Sequence, residues 1–219
     1  MPIELIENEI RRFLTTEEPE FLCISGRWGV GKTYEWNRCL RAAQTTEGSI
    51  ALGQYSYVSL FGINSLDDLK YSIFENRVQT TQQGAEPSLE VAMSNAGAAI
   101  ARAGKKLFGA AQKSSFAQQY VGGLGSMCFL TVKESIVCLD DLERRGDNLS
   151  IRDVLGLVSL LKEQKRCKVV LILNDEALAA SKEQFSTYFE KVVDARLTFS
   201  PTAPATRSRA PTPRKTSAA

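Results

Sequence analysis

The chain of 219 residues contains no histidine. Without an imidazole there is no Ser-His or Cys-His nucleophile pair, no histidine general base and no histidine-ligated metal. Cysteine is sparse and unpatterned: Cys23, Cys39, Cys128, Cys138 and Cys167 never fall as C-x-x-C, and five is an odd number. This excludes a cysteine-only zinc site and a paired disulfide framework. With Cys23 and Cys138 inside apolar runs and no secretory signal at Met1-Pro2-Ile3-Glu4, a reduced, cytoplasmic chain is expected. An excess of one charge is also lacking. Residues 1–199 carry 23 basic and 25 acidic side chains, and the net +2 arises only through Arg207, Arg209, Arg214 and Lys215. A balanced surface is not built for phosphate backbones, so no direct nucleic-acid contact is expected.

Long apolar runs are missing as well. The stretch Ser114 to Val132 has no charge, but Gln118, Gln119, Gly122, Gly123 and Gly125 interrupt it. A spanning helix needs about 20 predominantly apolar residues, so membrane association through 79–132 is the lesser expectation. The tail after Phe199, residues 200–219, holds only Ser, Pro, Thr, Ala, Arg and Lys and cannot pack a core. The composition changes so abruptly there that the folded unit is expected to end at 199, with the tail foreign to it through a frameshift or truncated reading frame.

What is present is a 43% apolar content, enough to fill one domain core, arranged in alternating patterns. Residues 5–14 place Leu5, Ile6, Ile10, Phe13 and Leu14 on one helical face. Strands are expected at Phe21 to Ile24, Tyr55 to Phe61, Ile136 to Leu139, Val169 to Leu173 and Val192 to Phe199. Helices are expected at Lys32 to Ala43, Ile151 to Leu161 and Glu176 to Phe189. Another opens at the capping box Ser65-Leu66-Asp67-Asp68, with Leu66, Leu69, Ile73, Phe74 and Val78 as its core stripe. This alternation predicts an α/β fold, a mostly parallel sheet covered by helices in three layers. Residues 79–132 interrupt the rhythm as an inserted, partly helical segment.

The sharpest motif is Gly26-Arg27-Trp28-Gly29-Val30-Gly31-Lys32-Thr33, a full G-x-x-x-x-G-K-[ST] between a buried strand and a helix. Its glycines let backbone N–H groups turn toward phosphates. Lys32 would neutralise β- and γ-oxygens, and Thr33 would ligate Mg²⁺. The second motif, Ile136-Val137-Cys138-Leu139-Asp140-Asp141, runs an apolar strand into two carboxylates. Asp140 would hold the magnesium and Asp141 would polarise the attacking water. Taken alone, the same residues would also read as a strand ending in a solvated acidic turn. Asn174, at the tip of the next strand, would sense the γ-phosphate; equally, Asn174 or Asp175 would cap the following helix. Arg144, Arg145 and Arg196 are candidate cations, though solvated arginines fit them too. Trp28 and Trp36 would pack either on the nucleotide or, by preference, on protein.

The Trp-Gly within the glycine motif, together with Asp140-Asp141-Leu142-Glu143-Arg144, resembles the KAP family of P-loop NTPases. Tyr57-Val58-Ser59-Leu60-Phe61-Gly62 resembles its bacterial members. The resemblance, which covers 1–199, implies the additional-strand class of P-loop ATPases, related to the STAND switch proteins, in which one strand separates the glycine-loop strand from the Asp-Asp strand. It also implies ATP and Mg²⁺ as ligands, an insertion between the motifs that is sometimes membrane-spanning, and links to phage exclusion. Family members continue past the fifth strand into a helical lid, where this chain has its short tail. Mg-dependent ATP binding, with hydrolysis used as a conformational switch if the fold is intact, is the first expectation, with a protein partner or missing C-terminal region and a possible oligomer. A non-hydrolysing nucleotide-binding or scaffold fragment is the second. A GTPase is disfavoured by the absence of N-K-x-D. A small-molecule kinase would need an acceptor pocket and a basic lid, for which Arg144-Arg145 is the only trace.

Overall fold

The computed structural model describes residues 3–46, 48–80, 128–174, 176 and 188–199. Six strands form one sheet: β1 (Phe21–Ser25), β2 (Gln54–Ser59), β3 (Arg77–Gln79), β4 (Ser135–Asp140), β5 (Lys168–Leu173) and β6 (Ala195–Thr198). Their spatial order is β3-β2-β4-β5-β1-β6. Every pairing is parallel except β2 with β3. The helices are α1 (Ile3–Thr15), α2 (Lys32–Gln44), α3 (Leu66–Glu75) and α4 (Ile151–Glu163), and residues 188–192 are also helical.

The alternation of side chains along a strand explains the three layers. Leu22 and Ile24 of β1, Ile136 and Cys138 of β4, and Val170 and Ile172 of β5 join one core with α1 and α2. Phe21 and Cys23, Val137 and Leu139, and Val169 and Leu171 join the opposite core with α3 and α4. The middle positions of the central strands are therefore apolar on both faces, with polar Ser25, Ser135, Asp140 and Lys168 only at strand ends, and β1 and β5 are buried throughout. Trp36 is fully buried, edge-on to Phe13 at 6.1 Å, with its indole N–H on the Tyr55 hydroxyl, so it packs on protein.

Local signals set most boundaries. Ser65 caps α3 by accepting the Asp68 N–H at 3.1 Å, while its hydroxyl donates to the Asp68 carboxylate at 2.7 Å. Ser150 caps α4 in the same way. Four expectations need correction. The strand expected over Val192 to Phe199 begins only at Ala195, Val192 still being helical. Leu5 is 55% exposed, because it lies about 100° around the helix from Ile6 and away from the Ile6, Ile10, Phe13, Leu14 stripe. Val78 is not helical: Asn76 ends α3, and Val78 enters β3 opposite Tyr55. The strand expected to reach Phe61 stops at Ser59, leaving Phe61 in a turn and exposed. The expected helix 176–189 lies mostly outside the described residues, as do nearly all of the insertion and the whole tail.

Candidate nucleotide site

The chain leaves β1 at Gly26 through a passage that admits no side chain. Gly26 has φ +156°, and a Cβ there would lie 2.4 Å from the Phe199 carbonyl oxygen. The loop then enters α2 at Gly31, whose left-handed φ of 89° and ψ of 22° turn the first amides of the helix toward the loop. These first-turn N–H groups and the positive end of the helix dipole favour an anion at this point. The Lys32 ammonium sits inside the loop, donating to the Gly26 carbonyl at 2.9 Å and the Arg27 carbonyl at 2.8 Å.

Asp140 ends β4, two strands away in the sheet, yet meets the loop directly. Its parity along β4 matches Ile136 and Cys138, so it faces the α2 side. There its Oδ2 accepts from Thr33 Oγ1 at 2.7 Å and from the Tyr57 hydroxyl at 2.9 Å, and its Oδ1 accepts from the Asp141 N–H at 2.8 Å. Burial pushes the Asp140 carboxyl above the usual carboxylate range, and these hydrogen bonds partly offset that. The Tyr57 phenol is pushed up by burial and by the neighbouring carboxylate, so it remains a donor.

Beyond Asp140 the alternation breaks. Asp141 has a left-handed backbone (φ 59°, ψ 41°), which drops the buried Leu142 into a 3₁₀ turn, Leu142–Arg144. The Asp141 carboxylate accepts from Ser59 Oγ at 2.9 Å, and Glu143 Oε2 accepts from the Asn174 N–H at 3.2 Å. Asn174 is buried, and its side-chain oxygen accepts from the Glu176 N–H at 3.1 Å; the helix it would cap lies mostly outside the described residues.

A cleft of about 230 Å³ brings Trp28, Gly29, Gly31, Lys32, Thr33, Asp140 and Asp141 together, and adds Tyr34, Glu143 and Leu173. Asn174 flanks it through Glu143. The Val30 side chain packs on the α1–α2 core, so only its backbone faces the loop. Trp28 is 65% exposed rather than packed on a helix; the Arg144 guanidinium lies 5.7 Å from its ring and 3.9 Å from that of Phe61. Arg145 is spent on the Leu149 and Leu142 carbonyls, and Arg196 reaches Ser25 Oγ. Sequence reasoning gave no role to Tyr57, Ser59 or Glu143. The parallel register of Ser59 with Asp140, invisible without the pairing, brings the first two to the site.

The donor set fits a magnesium nucleotide. Thr33 and Asp140 offer one neutral and one anionic hard oxygen within hydrogen-bond distance of each other. Mg²⁺ is commonly held by one or two such groups, with phosphate oxygens and waters completing its octahedron. Among the described residues no cluster of three or more acidic or thiol ligands could hold an ion unaided.

A glycine loop after β1, an acidic residue at the tip of β4 and β5 lying between them define a nucleotide-binding P-loop domain of the additional-strand type. The KAP family P-loop domain matches residues 6–209, and the chain belongs to that family. Among solved structures, the fold is similar to the ORC2 protein of Aeropyrum pernix in its ADPNP-ADP complexes, with 16% identity over 90% of this chain and TM-score 0.50. The ADP form of the same protein gives 14% identity over 90% of this chain and TM-score 0.52. The chain spans about half of those proteins, 46% and 47%. No protein of curated function matches it by sequence. Among the described residues, no helix is long and apolar enough to cross a membrane.

Proposed function

We propose that this chain binds ATP with Mg²⁺ at the Gly26–Thr33 loop, hydrolyses it, and uses the cycle as a conformational switch. The observation that carries this reading is the 2.7 Å contact of Thr33 Oγ1 with Asp140 Oδ2, which joins the phosphate loop to the acidic strand end. The similar fold of a protein described with ADPNP and ADP supports an adenine nucleotide. Lys32, poised among the loop carbonyls, would exchange those partners for β- and γ-oxygens. Thr33 and Asp140 would hold the ion, which when bound supplies charge neutralisation to the phosphates. Asn174, fixed by its bonds to Glu143 and Glu176, would present its amide to the γ-phosphate side of the cleft.

The test is ATP binding and steady-state phosphate release by the chain and by Lys32→Ala. Binding and turnover that both fall at least tenfold in the variant support the reading. Binding without turnover in the unsubstituted chain would leave a nucleotide-binding scaffold instead. The association of bacterial relatives with phage exclusion extends to this chain as a proposal, tested by plaque counts on cells carrying the chain or Lys32→Ala.

A further inference from the structure

Two carboxylates besides Asp140 line the cleft, and the sheet order sets them apart. Ser59 ends β2, on the far side of β4 from β1, and its hydroxyl holds the Asp141 carboxylate at 2.9 Å. Asn174 follows β5, the strand between β4 and β1, and its N–H holds Glu143 Oε2 at 3.2 Å. Asp141 is thus tethered away from the phosphate loop and Glu143 toward it. The left-handed backbone of Asp141 produces this division: it sends Leu142 into the core and carries Glu143 over the end of β5.

From this we infer that Glu143, two residues past the acidic pair, is the carboxylate that accepts a proton from the attacking water, and that Asp141 is a positioning residue. The inference rests on the hydrolysis proposed above. In the step, the water oxygen bonds to the γ-phosphorus as the bond from that phosphorus to the β–γ bridging oxygen breaks. ADP departs with the electron pair on that oxygen. The water proton passes to a Glu143 oxygen and then to solvent, leaving inorganic phosphate. Asp141 acts through Asp140, whose Oδ1 it holds by its N–H, while Ser59 fixes its own side chain.

The experiment compares the full chain with Glu143→Gln and Asp141→Asn. Glutamine keeps an oxygen for the Asn174 N–H, so Glu143→Gln should retain the melting temperature and bind Mg-ATP within about threefold. Its phosphate release should fall by roughly 100-fold, the range for losing a general base. After gel filtration it should carry intact ATP, whereas Asp141→Asn should carry ADP and lose less than tenfold in turnover. The reverse ordering, or a Glu143→Gln variant as active as the chain itself, overturns the assignment while leaving hydrolysis standing. Loss of melting temperature and affinity in parallel with turnover would make Glu143 structural. If the unsubstituted chain holds ATP but releases no phosphate, the assignment falls with hydrolysis; if it holds no ATP, the nucleotide reading itself has failed.

Discussion

Thr33 and Asp140 stand 107 positions apart in the chain, and their side-chain oxygens lie 2.7 Å apart in space. One belongs to the first turn of α2, the other to the last residue of β4, and the parallel sheet brings both to the same edge. That contact sets up a conflict between stability and function.

Asp140 is buried, and desolvation raises its carboxyl pKa. A group whose folded pKa is raised stabilises the fold below its unfolded pKa and loses that contribution as pH climbs through the folded value. Burial thus makes the charged form of Asp140 costly to the fold. Asp140→Asn should raise the unfolding free energy at pH 7, read as a higher urea midpoint, by on the order of 1 kcal/mol, the usual scale for relieving a functional site. The same variant should lose the Mg²⁺-dependent part of ATP affinity, measured by titration with and without EDTA. A lower midpoint would show that ionised Asp140 stabilises the fold.

Gly26→Ala places a methyl 2.4 Å from the Phe199 carbonyl and must part β1 from β6. A destabilisation of about 3 kcal/mol is expected from overpacking plus strained backbone. Chemical denaturation measures it; a loss below 1 kcal/mol would mean that the β6 end yields easily.

Lys168 lies buried at the start of β5, donating to the Thr16 carbonyl and hydroxyl and lying over the Phe13 ring. Burial pushes its ammonium down to about 8, with Arg12 adding to that and Glu20 and Glu18 opposing it. Unfolded lysine titrates near ~10.4. Between these values the unfolded chain binds more protons, so this residue makes stability rise with pH. The thiols of Cys138 and Cys167, raised by burial, act in the opposite sense, which makes the difference from Lys168→Met the informative quantity. From pH 8 to 10 the chain should gain on the order of 2 kcal/mol relative to that variant. Parallel curves would place the ammonium in contact with water.

Trp28 is exposed at the loop and Trp36 is buried in the core. Nucleotide should therefore change only the emission of Trp28. Trp28→Phe should abolish the ATP-induced fluorescence change while anisotropy of a dye-labelled ATP still reports binding within about fivefold, since losing one exposed ring contact costs about 1 kcal/mol. A signal that persists in Trp28→Phe would locate the response at Trp36.

Local pattern determined much of this protein. The octet Gly26 to Thr33, the apolar runs leading into Ser25, Asp140 and Leu173, and the Ser65 cap are short-range features, each legible because steric and hydrogen-bonding rules act within a few residues. Their alternation was enough to indicate a parallel sheet in three layers. Only the tertiary structure decided which strand stands beside which, and with it the partners of each carboxylate. Tyr57 reaches Asp140, and Ser59 reaches Asp141, because β2 lies against β4 in parallel register. Glu143 leans the other way because β5 ends beside it. Groups 31 to 83 positions apart meet through strand pairing, and no periodicity within one segment encodes that choice.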